Sequence, residues 1–494
     1  VRREPRHPRR PLRWLASLLT LVLVVAAAAT AYRLGYVDEW LDRSPLAAPE
    51  EPPAPWDTPV PSPAAVASAA GSSSADAAKV RAALAGPLDD PDLGKHVTVE
   101  IAPVAGGPAL FAAGRGAAVP ASTTKLLTTA AALEVLGPDA TFTTAVVQPA
   151  PGRIVLVGGG DPLLGSRPSK PRGSDYPARA DLRTLAGRTA AALRKAGATH
   201  VRLGFDDSLF TGPTTSPHWP ANYVPDDIVA PITALWADQG NDASGRRESD
   251  PAAAAAEIFA DELRAAGVAV RKQVRRTPAS GGTVAQAVSA PLREIVQHTL
   301  ETSDNDAAEV LAHHVGARVS GAGSFDGGAG GVVATLAELG VPTAGLQLYD
   351  GSGLSRDDRI APATLTGVLQ AAARTPALAS VLGGLPVAGF TGSLVERFED
   401  QASEPGLGMV RAKTGTLTGV HALAGTVTDR DGNVMTLVLM ADQVTPARTL
   451  AARQALDDAA AALAACHCGA PASPAPTSAP APTSAPASGS SSSG

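Results

Sequence analysis

Cysteine is nearly absent from this chain: its 494 residues hold two, Cys466 and Cys468, on either side of His467. Cys-x-Cys with one histidine is too few ligands for a closed zinc site. A disulfide across a single residue is a strained geometry, and neither cysteine lies near the motifs described below, so neither is assigned a catalytic role. A core without structural cysteines must be held by packing, which a domain of ordinary size sustains. Basic runs are also absent beyond the N-terminus, and the formal net charge is only −6; nucleic acid is therefore excluded as a partner. His313 and His314 sit in a helical pattern with no H-E-x-x-H spacing around them, and they read as structural. His218, beside Trp219-Pro220, reads the same way. Gly158-Gly-Gly160 runs into Asp161-Pro162 rather than a helix, which makes it a tight turn and not a nucleotide loop.

The ends of the chain are not globular in composition. Residues 1–13 carry Arg2, Arg3, Arg6, Arg9, Arg10 and Arg13 against one acid, Glu4, and Trp14 to Ala31 is an apolar run of 18 residues. That length is short for a membrane span and long for a cleaved signal core. The reading over 14–32 is a signal anchor or signal peptide, with the anchor preferred. The arginine block places segment 1–13 in the cytoplasm and the rest outside. Residues 33–76 are rich in Pro and Ala and read as a semi-rigid linker. Residues 466–494 read as a disordered Pro/Ala/Ser tail.

Three short stretches between these ends carry chemistry: Ser122-Thr-Thr-Lys125, Ser303-Asp304-Asn305 and Lys413-Thr414-Gly415. Pro120 ends an extended approach, and Leu126, Leu127, Ala130, Ala131, Leu133 and Leu136 keep helical spacing up to Gly137-Pro138. Ser122 and Lys125 thus share one face near a helix start. There, free N–H groups favour a developing oxyanion, and a neighbouring amine of lowered pKa can take the serine proton. Ser303-Asp-Asn305 lies at a corner between helical patterns 292–300 and 307–319. Met409 to Lys413 leads into an antiparallel meander: Thr416 to Thr428 runs on, Asp429 to Gly432 turns, and Val434 to Met440 returns. Each stretch alone has an ordinary explanation: an N-capping serine, an Asp304 or Asn305 cap, an exposed turn. Their joint occurrence, in this order, is the serine-acylation signature.

Ser122 and Ser303 are 181 residues apart, far more than a helical subdomain needs. Strand-like runs (143–147, 153–157, 201–205) and helical ones (182–195, 252–265) fill the interval without an internal repeat. The expectation is an antiparallel sheet flanked by helices over 77–140 and 286–465, with an inserted mixed domain over 141–285.

At this point the chain resembles the class C low-molecular-mass penicillin-binding proteins, the D-alanyl-D-alanine carboxypeptidase/endopeptidase family, over about residues 77–465. Besides the motifs and the insertion, the resemblance rests on Gly158-Gly-Gly-Asp-Pro162, Asp206-Asp-Ser-Leu-Phe210, Trp219-Pro220 and Asp350-Gly-Ser-Gly-Leu-Ser-Arg356. It implies an α+β fold of the penicillin-binding-protein/serine β-lactamase-like transpeptidase type. It also implies Ser122 as nucleophile, Lys125 as general base, Ser303 as proton relay and Asn305 as a hold on the substrate amide. Lys413 and Thr414, next to Gly415, would grip the terminal carboxylate. The N–H groups of Ser122 and Thr416 would form the oxyanion hole. Asp206, Asp207, Phe210 and Arg356 are candidates for a pocket taking a diaminopimelate side chain. Substrates would be peptidoglycan stem peptides, with β-lactams as inhibitors and no metal or organic cofactor. Leu417-Thr418 departs from the family pattern, and the insertion is short for it.

Two competing readings remain. A serine β-lactamase needs a deacylating glutamate in an E-x-x-x-N setting; Glu338 is suitably spaced, but Val341-Pro342 follows and no asparagine is in place. A non-catalytic wall scaffold would not need to keep Ser122, Lys125 and Lys413 together.

Overall fold

The computed structural model describes residues 75–169, 176–271 and 274–470. The basic segment, the apolar run, nearly all of the linker and the tail beyond 470 lie outside them. Among the described residues no helix is long and apolar enough to cross a membrane.

A five-stranded antiparallel sheet organises the catalytic part. Its strand order is Phe111–Ala113, Val97–Pro103, Val434–Ala441, Val420–Thr428, Val410–Leu417. The period of two splits its central strands between two cores. Ala422, Ala424, Val438 and Met440 face a helical layer that includes Thr124–Leu136, Leu292–Glu301, Asn305–Val319 and Pro362–Arg374. Leu423, Val427, Leu437 and Leu439 face the opposite way, into the core shared with helices Ala77–Leu88 and Thr449–Ala465. Burial on both faces explains why these strands read as near-continuous apolar runs. Each fully buried leucine contributes roughly 1.5–3 kcal/mol.

The run expected from Thr416 to Thr428 is broken. Strand Val410–Leu417 ends at a turn, and Val420–Thr428 folds back on it with Val420 opposite Leu417. Gly419 makes this possible, with a φ of +75° that side chains with a Cβ disfavour. The Lys413-Thr414-Gly415 stretch lies within this edge strand, as expected.

The inserted part is a second, mixed sheet. Ala269–Val270, His200–Asp206, Arg153–Val157, Thr143–Ala150 and Gly282–Val288 follow one another across it, and Arg275–Arg276 pairs beside His200–Asp206. Strands Arg153–Val157 and His200–Asp206 run parallel, and helix Leu182–Lys195 supplies the crossover between them. That helix and Pro251–Ala265 bury Leu185, Leu193, Phe259 and Leu263 against the sheet.

The cysteines require a correction. Cys466 and Cys468 form a disulfide, with their Cα atoms 5.1 Å apart. That separation lies inside the usual range of about 4.4–6.8 Å. The residues beside it are ordered too: Asp76 N–H donates to Cys468 O at 2.6 Å, and Gly469 N–H to Asp431 at 2.7 Å.

Candidate active site

Ser122 sits in a single 3-10 turn, Ala121–Thr123, that leads directly into helix Thr124–Leu136. Ala121 just before it has φ +46°, a left-handed conformation that costs of order 1–3 kcal/mol for a residue with a Cβ. Two glycines close on that turn. A Cβ on Gly415 would lie 2.5 Å from Pro120 O, and one on Gly353 would collide with Ala121 O. The glycine of the third motif is thus the residue that lets the edge strand approach the serine.

Lys125 lies one helical turn on and is fully buried. Its ammonium donates to Ser122 Oγ at 3.0 Å, to Asn305 Oδ1 at 2.8 Å and to Ser352 O at 2.9 Å. Burial pulls its pKa down to about 8, against the opposing charges of Glu309, Asp350, Asp304 and Asp306. Lys413, also fully buried, donates to Ser303 Oγ at 2.8 Å and to Thr414 O at 3.0 Å. Its pKa is driven well below the ordinary value by burial and by the nearby Lys125 charge. Thr414 Oγ1 meets Ser393 Oγ at 2.7 Å.

The helix–helix corner aims the second motif. Ser303 has φ +59°, and Asp304 caps helix Asn305–Val319 by accepting from Ala307 N–H at 2.9 Å. One turn into that helix, Glu309 accepts from Gly351 N–H at 3.0 Å and Ser352 N–H at 2.8 Å. Asp350 accepts from Gly353 N–H at 2.7 Å and Ser355 N–H at 2.6 Å, and from Trp219 Nε1 at 2.7 Å. Together they shape the 350–355 loop so that the Ser352 carbonyl points at Lys125. Burial, then the Asp350 charge, raises Glu309 to about 8.

Ser122, Lys125, Ser303, Asn305, Lys413 and Thr414 are therefore joined in two hydrogen-bonded groups on facing elements, with Gly415 and Thr416 on the same edge strand. Two of the four side-chain-pocket candidates, Asp207 and Phe210, come together. Asp207 is bound to Arg276 at 3.1 Å and, with Phe210 and His313, lines a cavity of about 270 Å³. The Asp206 carboxylate accepts from Ser208 N–H at 3.0 Å and Ala279 N–H at 2.5 Å. Arg356 is elsewhere, donating to Thr418 O at 2.8 Å beyond the end of the edge strand.

Ser352, Glu309 and Ser393 escaped the reading from sequence. Glu309 had one available signal, its i+4 spacing from Asn305, and Ser352 another, its place within Asp350-Gly-Ser-Gly-Leu-Ser-Arg356; Ser393 is brought in from another segment by tertiary contacts alone. His313 and His314 are buried, and desolvation lowers both to about 4. They donate to Glu309 O and Gly160 O, each at 2.8 Å, as neutral structural residues do. Among the described residues no cluster of His, Cys, Asp and Glu suited to a metal occurs.

A serine and a buried lysine at a helix start, beside a sheet-edge lysine that holds the serine of a helix–helix corner, is the constellation of the active-site-serine acyl-transfer enzymes. The chain belongs to the D-Ala-D-Ala carboxypeptidase 3 (S13) family, whose pattern matches residues 80–243 and 241–463. It is 38% identical to Carboxypeptidase DacB of Mycolicibacterium smegmatis, over 78% of this chain and 84% of that protein. It is 32% identical to the D-alanyl-D-alanine carboxypeptidase of Actinomadura sp. (strain R39), over 70% of this chain and 78% of that protein. The fold matches crystalline penicillin binding protein 4 of Haemophilus influenzae with a TM-score of 0.61, at 21% identity, covering 77% of this chain and 98% of that one. The activity of this chain is that of a serine-type D-Ala-D-Ala carboxypeptidase/endopeptidase.

Proposed function

We propose that Ser122 is the residue acylated in that reaction and that Lys125 is its base, acting on peptidoglycan stem peptides. The carrying observation is the Lys125 ammonium, fully buried and 3.0 Å from Ser122 Oγ. In its neutral form Lys125 accepts the hydroxyl proton as Ser122 Oγ bonds to the carbonyl carbon of the penultimate D-alanine. The N–H groups of Ser122 and Thr416 stabilise the oxyanion. Collapse breaks the C–N bond, and the leaving amine takes a proton through Ser303, which Lys413 orients at 2.8 Å. Lys413 and Thr414 hold the terminal carboxylate, Asn305 the peptide amide. Water then cleaves the ester and restores Ser122.

A β-lactam enters the same site and stalls the second step; another crystal form of the Haemophilus influenzae protein holds a β-lactam. The lactamase reading is disfavoured because Glu338 is exposed at the end of helix Phe325–Glu338. The buried Glu309 carboxylate is likewise already engaged by Gly351 and Ser352. We place the enzyme outside the cytoplasm, anchored or released by segment 14–32. Cell fractionation with N-terminal sequencing tests this; a full-length soluble protein in the cytosol overturns it.

The test of the acylation itself is intact mass after incubation with benzylpenicillin, beside Ser122→Ala. A whole-drug adduct on the wild type alone supports the assignment. Drug consumed without an adduct points to a lactamase, and intact drug with unmodified protein points to a scaffold.

A further inference from the structure

The inserted domain holds all three residues that follow Ser303. Gln239 Nε2 donates to Asp304 Oδ2 at 2.6 Å. Asn305 Nδ2 donates to Ile228 O at 2.9 Å. Asp306 accepts from Ala230 N–H at 2.7 Å and from Arg247 Nη2 at 2.8 Å. Arg247 also reaches Gln239 O through Nη1 at 2.7 Å, so one guanidinium ties together the two insertion segments that grip the corner. This junction is dry: the Arg247 and Asp306 side chains are 10% and 4% exposed. The gripping segments also carry left-handed residues other than glycine, Asp227 (φ +58°), Asp238 (+50°) and Gln239 (+55°). Such conformations persist only where the surroundings over-determine them.

The Asn305 carboxamide has two ends, and only one suits Lys125. Its Oδ1 accepts from Lys125 Nζ at 2.8 Å because its Nδ2 is spent on the Ile228 carbonyl. Were that carbonyl displaced, the amide would be free to turn and set an N–H₂ against the ammonium, donor facing donor. Ile228 O is two residues from Ala230, whose N–H is anchored on Asp306, which Arg247 holds in turn.

We propose that Arg247, through Asp306, Ala230 and Ile228, is a positioning residue for acylation, fixing which end of the Asn305 amide meets Lys125. The inserted domain on this view is a functional part of the catalytic corner and not an appendage. The inference rests on Ser122 and Lys125 being the acylating pair.

Stopped-flow acylation of the full chain by a chromogenic β-lactam tests it, using Arg247→Met and Arg247→Lys, with Arg183→Ala, an exposed insertion residue paired to Glu262, as control. Two quantities separate positioning from folding: the fraction of protein labelled at the end point and the rate constant of that fraction. Positioning lowers the rate constant roughly 10–100-fold in Arg247→Met. Arg247→Lys, which keeps the charge but loses the two-ended bridge, falls between it and the wild type. Arg183→Ala acylates as the wild type does. Arg247 variants that label incompletely but at the wild-type rate constant would mean a merely structural role and overturn the proposal. Arg247→Lys alone decides the matter if Arg247→Met does not fold. A wild-type chain that is not acylated at all overturns instead the assignment of Ser122.

Discussion

Proton availability on Lys125 is the quantity most directly open to perturbation, by changing pH. A free lysine amine, with a pKa of 10.5, would be neutral in only about 0.03% of molecules at pH 7. Burial brings Lys125 to about 8, so about one molecule in ten carries the free base at that pH. The gain is roughly 300-fold, or about 3 kcal/mol of differential stabilisation. The sign follows from the role: the base must be unprotonated to accept the Ser122 proton, so acylation rises with pH. The second-order acylation constant with benzylpenicillin should climb close to tenfold from pH 6 to pH 7, bend near 8 and level above 9. Stopped-flow measurements across pH 5.5–9.5, at constant ionic strength, supply the profile. Lys125→Arg keeps a cation but has no base in this range, and should lose the rise together with about 10²–10⁴ of the rate. A wild-type constant that is flat from pH 6 to 9, or an acid limb centred near 10, would refute the argument that desolvation prepares this lysine.

Two substitutions test the supporting architecture. Gly415→Val places a Cβ about where 2.5 Å separates it from Pro120 O, so the edge strand must back away from the serine turn. Acylation should drop about 10²-fold with a stability loss of about 1–3 kcal/mol, read by the same kinetics and by urea unfolding; wild-type rates would show that the strand's approach is not needed. Asp457→Ala strips the carboxylate from the buried Arg397 guanidinium, which it meets at 2.5 and 2.7 Å. Leaving that charge unpaired should cost about 3–5 kcal/mol in urea unfolding, and a change within about 0.5 kcal/mol would contradict the burial.

The local half of the site was legible in the residues themselves. Helical periodicity after Pro120 is a property of neighbours in the chain, so Ser122 and Lys125 could be placed on one face before any fold was known. A cap at Asp304 or Asn305, three strands of the second sheet (143–147, 153–157 and 201–205) and the helix Leu182–Lys195 followed from the same short-range rules. The three motifs and their family likeness together indicated the α+β class and the reaction.

Contacts across long separations decided the rest. The meeting of Lys413 with Ser303, 110 residues apart, and of Lys125 with Ser352, 227 apart, depends on how the sheet edge packs on the helices. The charge state of both lysines depends on that packing too, because desolvation belongs to the folded interior and not to any motif. The same holds for the partners of the pocket candidates: Asp207 binds Arg276 and shares a cavity with Phe210, while Arg356 donates to Thr418, and neither family-like stretch records these directions. A turn at Thr418-Gly419 depends on the positive φ of Gly419, which composition does not show. From sequence alone came the candidate reacting groups and their nearest-neighbour geometry. Only the tertiary structure determined which of them meet, how dry the meeting place is, and that the inserted domain reaches in to hold Asn305.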